Sequence, residues 1–450
     1  MKRRNFIKSV ATAAGAAALV SPMGRLFAAP AAYEGKLLIT LQAEGGWDPT
    51  SYCDPKLNVA GEQVINHWAS SDETRTAGNL HYAPFANNST LFDKYYNDML
   101  IINGVDAQTN AHSTGVVHNW SGRNSRGYPS LTALFSAYNA PDIPLSYINY
   151  GGFAEAARLI RYSRLDNVDS LINLLQPNRN TWNPEESYRF SSDIERIVAF
   201  QQERLQRKIN SATITPRQRY NAESYFQSRS SVDALKQFAD VLPASDQFQE
   251  DVDLGTEIGS SNLLRQIQLT MLAMKSGVAS AADLFMSGYD THNNHDRDHA
   301  GLFTHLNNSI DYFWSYAEEQ GIADRITLVI ASDFGRTPFY NANEGKDHWP
   351  IGSVIVMEKN ASWGNRVVGL TDEGHNAHKI NPSTLQRDDA NGSIIYPKHI
   401  HKAIRRHLGL EGTSVVSNFI FSGTEDFDFF NDSKQTAGRD FDARNSVRIV

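Results

Sequence analysis

Six short apolar runs, each closed by polar or glycine-rich residues, set the strongest limit on how this chain folds. Lys36–Gln42, Met99–Val105, Ile143–Ile148, Leu284–Ser287, Ile326–Ala331 and Ile351–Met357 have strand length and little charge, the pattern of strands buried on both faces. The first run passes directly into Ala43-Glu44-Gly45-Gly46-Trp47-Asp48, and so delivers a carboxylate to a loop. Helical apolar spacing falls between the runs, at Ala154–Arg161, Ile194–Ile209, Leu264–Ser276, His299–Glu319 and Lys398–Leu408. Short buried strands alternating with amphipathic helices predict an α/β fold with a mostly parallel sheet covered on both faces.

The 450 residues, 41% hydrophobic with 22 Phe, 18 Tyr and 7 Trp, suit a large globular core and exclude a disordered, collagen-like or coiled-coil chain. That length has room for as many as three domains, but a single sheet carrying insertions is the favoured arrangement. Between residues 165 and 260 the strand pattern lapses. A long Arg- and Gln-rich helical stretch there leads into a connector with Asp240, Asp246, Glu250, Asp251, Asp253 and Glu257 but no Lys or Arg. The expectation is a helical insertion at 165–260, serving as a lid or packing subdomain and joined by a solvated loop. No short-period repeat points to a solenoid.

The N-terminus reads Arg3-Arg4-Asn5-Phe6-Ile7-Lys8, then the weakly hydrophobic Val10–Val20 and the small residues Ala28–Ala32. This resembles a twin-arginine export signal, and its apolar run is too short for a permanent membrane span. Residues 1–31 are therefore expected to be removed, residues 32–450 to form the working domain, and the protein to be periplasmic or otherwise exported, with the twin-arginine translocation machinery as a partner. Loss of Lys2, Arg3, Arg4, Lys8 and Arg25 turns a formal charge of -8 into 37 bases against 50 acids, or -13. With no basic block in the remainder, binding of duplex nucleic acid is excluded, and a small anionic ligand would need local attraction. Cys53 is the only cysteine, so no intramolecular disulfide can form.

Two clusters carry the chemistry. Gly288-Tyr289-Asp290-Thr291-His292-Asn293-Asn294-His295 offers one carboxylate and two imidazoles, suited to a first-row metal if the turn folds them inward. The bland alternative makes Asp290 a helix cap and leaves the histidines in a polar surface loop. Ala331-Ser332-Asp333-Phe334-Gly335-Arg336 and Gly345-Lys346-Asp347-His348-Trp349 supply the second. Here Asp333 and His348 are candidate ligands, and Arg336 could hold an anionic oxygen with its donor fork. The alternative is structural, with Asp333 accepting loop amides and Arg336 paired to an acid. Gly45-Gly46 permits a sharp strand exit but lacks the glycine spacing of a dinucleotide fingerprint, so no nucleotide cofactor is expected.

In order along the chain, KLLITLQAEGGWDP, NAHSTGVVHNWSG, SGYDTHNNH, ASDFGRTP and GKDHW together resemble the DUF1501 family, related to the alkaline phosphatase and sulfatase superfamily. The resemblance implies an alkaline-phosphatase-like fold and a divalent metal, whether zinc, calcium, magnesium or manganese. It places Asp48 after the first strand, Asp290 and His295 at one metal position with His348 joining from a later loop, and Asp333 at the other; His292 is a further candidate ligand. Ser113 and Thr114 occupy the region of the family nucleophile, with helix capping as their ordinary role. His112 and His118 flank that region and could orient substrate, move a proton or shield a metal; neither His375 nor His378 is assigned as a base. The superfamily's adjacent Asp-His is here Asp333-Phe334, which removes one potential imidazole ligand, and no sulfatase-type Cys/Ser-x-Pro-x-Arg motif is present. The implied activity is metal-dependent hydrolysis of a phosphate or sulfate ester, with a small anionic ester or glycan as ligand. The rival reading is a catalytically inactive envelope binding or assembly protein.

Overall fold

The structure is a computed structural model describing residues 32–165, 171–172, 175–176, 178–180, 182–183, 186–255 and 257–431. The export signal read in residues 1–31 lies outside them. The central sheet has eight strands: β1 (Leu37–Ala43), β2 (Met99–Asp106), β3 (Tyr147–Asn149), β4 (Tyr162–Arg164), β5 (Ala281–Met286), β6 (Ile326–Ser332), β7 (Ile351–Met357) and β8 (Arg366–Val368), in the order β8-β2-β7-β6-β1-β5-β3-β4. Only β7 runs against the rest, antiparallel to both β6 and β2. Every other pairing is parallel, including β1 with β5 and β6 at the centre.

Alternation along β1 sorts its side chains into two cores. Leu37, Ile39 and Leu41 face a cluster shared with helices α1 (Asn88–Tyr95), α6 (Leu263–Lys275) and α7 (His295–Glu319). Leu38 faces the opposite cluster, packed under α2 (His112–Ser121), α3 (Leu131–Asn139) and α8 (Pro397–His407). Each such aliphatic side chain fully removed from water contributes about 1.5–3 kcal/mol. Double-sided burial is why these strands read as continuous apolar runs, and the expected mostly parallel α/β sheet flanked by helices is the fold found.

Residues 154–161 are not helical, contrary to their apolar spacing. Ala157 and Arg158 have φ of 45° and 63°, a left-handed backbone no α-helix accommodates. Between 165 and 260 lie α4 (Ser191–Ile209) and α5 (Pro216–Val241), which pack on each other. Thr215 starts α5 with a capping box to Gln218, and Pro216 occupies its first turn. The acidic connector is held by ion pairs: Asp251 to Arg265 of α6 and Glu257 to Arg297 of α7, the latter at 2.9 Å. Among the described residues no helix is long and apolar enough to cross a membrane.

Candidate metal centre

The chain leaves β1, β5 and β6 at one edge of the sheet, and the loops that follow are pressed together there. Gly45, just past β1, has φ of 118°, and a Cβ on it would fall 2.4 Å from the Asp290 amide nitrogen. A Cβ on Gly345 would sit 1.9 Å from the His292 carbonyl oxygen, so only glycine lets the loop before His348 lie against the loop after β5. A short antiparallel ladder, Gly335–Arg336 with His348–Trp349, brings His348 back beside Arg336, and His112 opens α2 on the remaining side.

Four side chains converge. Asp290 Oδ1 is 3.0 Å from His292 Nε2 and 3.1 Å from His348 Nε2, and Oδ2 is 3.4 Å from His112 Nε2. His348 Nε2 in turn lies 3.1 Å from His112 Nε2 and 3.0 Å from His292 Nε2. The other nitrogen of each ring has its own acceptor. His112 Nδ1 is 2.6 Å from Asp333 Oδ2, His292 Nδ1 is 2.7 Å from Asp347 Oδ1, and His348 Nδ1 is 2.8 Å from the Asn110 carbonyl. Acceptors there put the proton on Nδ1, so in the neutral rings all three Nε2 atoms present lone pairs to one another and to a carboxylate. Such a set attracts positive charge, whether a metal ion or a proton on one of the rings. Metal-binding histidines are oriented in the same way by acceptors on their far nitrogen, and zinc–nitrogen bonds of about 2.05 Å in a tetrahedron leave ligand nitrogens about 3.3 Å apart. By donor chemistry and by spacing, His112, His348 and Asp290 fit a divalent ion, their ligand atoms lying within 4.8 Å of one another, and His292 stands next to them, 3.0 Å from both Asp290 Oδ1 and His348 Nε2.

The electrostatics agree. The hydrogen bond to Asp333 raises the His112 pKa against the effect of burial. Burial pushes Asp290 up, but donation from Arg336 Nη2 at 2.7 Å overrides it and holds the carboxyl at about 2. The Asp347 carboxyl is lowered, chiefly by the His292 hydrogen bond. Glu44, at the exit of β1, is raised by burial and then by the nearby Asp333 charge.

The other expected site residues fall into place around this centre. Asp333 is buried, accepting from Gln42 and from the Gly45 amide as well as from His112, so it supports a ligand from behind. Phe334 packs its ring 4.8 Å from that of His112 and 4.9 Å from that of His348, walling one side. Arg336 is fully buried: Nε donates to the Gly46 carbonyl, Nη1 to the Lys346 carbonyl, and Nη2 to the Gly45 carbonyl and Asp290. Its fork, read from sequence as a grip for substrate oxygens, is engaged by the loops. Ser113 and Thr114 lie in the first turn of α2, directly after His112, with Ser113 exposed.

Asp48 and His295 are not brought to the four-residue cluster. They sit beneath it with no exposed surface, His295 Nε2 lying 3.1 Å and Lys346 Nζ 2.7 Å from Asp48 Oδ2. Asp48 also caps the turn Pro49–Ser51 through the Thr50 amide. Burial pushes the Asp48 pKa up, yet the Lys346 charge and His295 bring it well below the usual carboxylate range. His295 Nδ1 meets Thr291 Oγ1 at 2.8 Å, and Thr291 stands between Asp290 and His292 while Lys346 stands two residues before His348. This buried group therefore ties together the two loops that carry the upper cluster. His118 and His375 are structural in placement, each buried with a ring nitrogen on a backbone carbonyl, of Ala107 and Ile351 respectively. Sequence reasoning had left His112 without a definite role and Asp347 and Lys346 without any.

A family model described as "Protein of unknown function (DUF1501)" matches residues 182–399. No curated protein matches the chain. Among solved structures, a sulfatase from Pseudoalteromonas sp. is similar with a TM-score of 0.37 at 11% identity, covering 90% of this chain and 74% of that one. A structure from a Bacteroides thetaiotaomicron locus for glycosaminoglycan metabolism is similar with a TM-score of 0.37 at 11% identity, covering 90% and 79%.

Proposed function

We propose, from the geometry at the strand ends and the DUF1501 family model that matches residues 182–399, that this chain is an exported, metal-dependent hydrolase of a phosphate or sulfate ester. The observation that carries the reading is the convergence of three imidazole lone pairs on the Asp290 carboxylate, each ring fixed from behind by its own acceptor. His112, His348 and Asp290 would hold the ion, with His292 beside them, and so nitrogen-rich a set favours zinc or a neighbouring transition ion over calcium or magnesium. When bound, the ion would polarise an ester oxygen and neutralise developing charge.

The residues around it divide the remaining work. Arg336 and the buried Asp48–Lys346 pair keep the two ligand-bearing loops in register. The N-terminus of α2, with its partial positive charge, favours an anionic group beside His112, and Ser113 or Thr114 in that turn is the candidate nucleophile, its attack displacing the leaving alcohol. Phe334 keeps water from one side of the imidazoles. The paired Arg3-Arg4 and the small residues at 28–32 support export to the periplasm through the twin-arginine pathway.

The test is metal content of the exported protein, followed by hydrolysis of p-nitrophenyl phosphate and p-nitrophenyl sulfate. The expected result is close to one ion per chain and turnover that falls at least a hundredfold in His348→Ala and Asp290→Ala. Loss of turnover with retained metal in Ser113→Ala or Thr114→Ala would identify the nucleophile. A bound ion with no release of either ester above the Asp290→Ala background overturns the enzyme reading. One observation favours the rival, an envelope binding protein: the Arg336 fork is occupied by loop carbonyls and Asp290, so it offers no grip on a transferring group.

A further inference from the structure

The helical insertion carries apolar surface that the rest of the fold leaves uncovered. Among the described residues eleven large apolar side chains are exposed, and seven of them lie between Trp182 and Val241; so local an excess marks a contact surface. Trp182 is 92% exposed, Phe190 81% and Phe200 59%. Side chains so far out in solvent protrude, which suits entry into a soft layer better than the lining of a groove.

Helix α4 is apolar on two sides. Ile194, Val198, Leu205 and Ile209 share one side by helical spacing and are half-buried or buried, α4 packing there on α5. Ile197 and Phe200 fall on the neighbouring side, which is open and continues at the same spacing into the exposed Arg204 and Lys208. Phe190 starts this strip at the N-cap, and the one acid on it, Asp193, stays in the first turn. From Arg196 to Arg219 the sequence has six bases, Arg196, Arg204, Arg207, Lys208, Arg217 and Arg219, against Glu203 alone. This basic stretch stands in a chain whose residues 32–450 have 37 bases against 50 acids.

An apolar strip that ends in cations, with aromatic side chains at its tip, is the pattern of a helix lying in the interface of an anionic membrane. A second copy of the chain fits less well. Two such faces would bring like charges together, and beyond the insertion the exposed large apolar side chains are Val64, Tyr138, Tyr162 and Ile420, none more than 58% exposed. Overall acidity does not forbid the approach, because the field of an anionic leaflet fades within about 8–10 Å and acts on the face turned toward it.

We propose that the insertion docks the protein on an anionic phospholipid bilayer. Trp182, Phe190, Ile197 and Phe200 enter the interface, and Arg204 and Lys208 pair with headgroup phosphates. Helix α4 lies along the surface, since no described helix is long and apolar enough to cross it. The docking face takes no residue from the metal centre, so it stands or falls independently of the hydrolase reading.

The test is flotation of the full exported chain with vesicles of phosphatidylglycerol and phosphatidylcholine in about equal parts, against phosphatidylcholine alone. Binding to the anionic vesicles should be about tenfold tighter or more, and should weaken as salt is raised. Arg204→Gln with Lys208→Gln should cost about twenty-five-fold, roughly fivefold for each base near an anionic surface. Phe190→Ser with Phe200→Ser should cost about tenfold or more. All four positions are exposed, so thermal melting should not change in either variant. Trp182 reports depth, because each of the other tryptophans is buried or half-buried. Brominated acyl chains should quench the fluorescence of the bound chain, and should fail to do so in Trp182→Phe, which still binds. Equal affinity for both vesicles, binding to neither, or affinity indifferent to either double variant would overturn the proposal. So would binding of soluble polyglutamate as tight as that of the anionic vesicles, which would make the partner an acidic protein. A dimer dissociated by Phe190→Ser with Phe200→Ser would put a second copy on the face and overturn it too.

Discussion

The same residue types are used twice within a few ångströms, to opposite ends. In the lower group Asp48 and His295 are sealed from solvent, and the Asp48 charge is answered by the Lys346 ammonium. In the upper group Asp290 is 47% exposed in its side chain, its one protein cation is Arg336, and three imidazole nitrogens face it with lone pairs. An amine inside the cluster makes an Asp-His pair part of the scaffold; acceptors behind each imidazole make it a ligand set. Spacing in sequence does not separate these outcomes, whereas the partner of the second ring nitrogen does.

Breaking the lower group should have the largest effect. Lys346→Met leaves the Asp48 carboxylate buried without its cation, and loss of one partner of a buried pair costs about 3–5 kcal/mol. Chemical denaturation should register that loss with or without added metal. Pairing it with Asp48→Asn should recover part of the stability, because the stranded charge is then removed. A neutral single-mutant result would mean that Lys346 is not the counter-charge.

In the upper group His348→Ala should leave the metal-free fold close to its original stability while lowering zinc affinity at least a hundredfold, read by competition with a chromogenic chelator. That separation of stability from affinity is what distinguishes ligands from scaffold. Asp347→Asn, which alters the acceptor behind the far nitrogen of His292, an oxygen that Asn341 Nδ2 also reaches at 3.2 Å, should fall between, costing about tenfold in affinity as removal of an orienting acceptor does.

Much of this arrangement was legible in the chain. The runs KLLITLQ and TLVIAS announced the two central strands because burial on both faces removes polar alternation, and Asp290, His292 and His348 announced a ligand set by residue type. His295 was grouped with them because three positions separate it from His292. The structure parts them at Asn294, whose left-handed φ of 46° turns the chain into α7 and carries the His295 ring down to Asp48. Lys346 could not be read as buried, since a lysine in a glycine-bounded loop is ordinarily solvated. The role of Arg336 depended on which carbonyls the β1 exit would turn toward it. That is fixed by Gly45 and Gly46, whose positive φ values have no side-chain signature beyond the residue type itself. His112 escaped assignment for a related reason, because its partner Asp333 lies 221 positions away.

The mildest expected effect concerns protons, and it sets the two groups apart by sign. The hydrogen bond to Asp333 raises the pKa of His112, so on acidification this ring gains its proton above the ordinary histidine value of about 6.5. Burial lowers the pKa of His295, with Asp48 only partly offsetting it, so that ring stays neutral to lower pH. Proton resonances of the two rings, assigned by His112→Gln and His295→Gln, should therefore titrate in that order. Two consequences follow. On acidification zinc occupancy should begin to fall while the pH is still above 6.5, as a proton competes for His112. Fold stability should decline as pH drops below about 6.5, because the unfolded chain takes up protons at His295 that the folded chain refuses, and stability rises with pH wherever the unfolded state binds more protons. Each unit of separation between folded and unfolded pKa is worth about 1.4 kcal/mol. Zinc loss and destabilisation sharing one midpoint would mean that the two groups titrate as a single unit, and the distinction between ligand set and scaffold would fail.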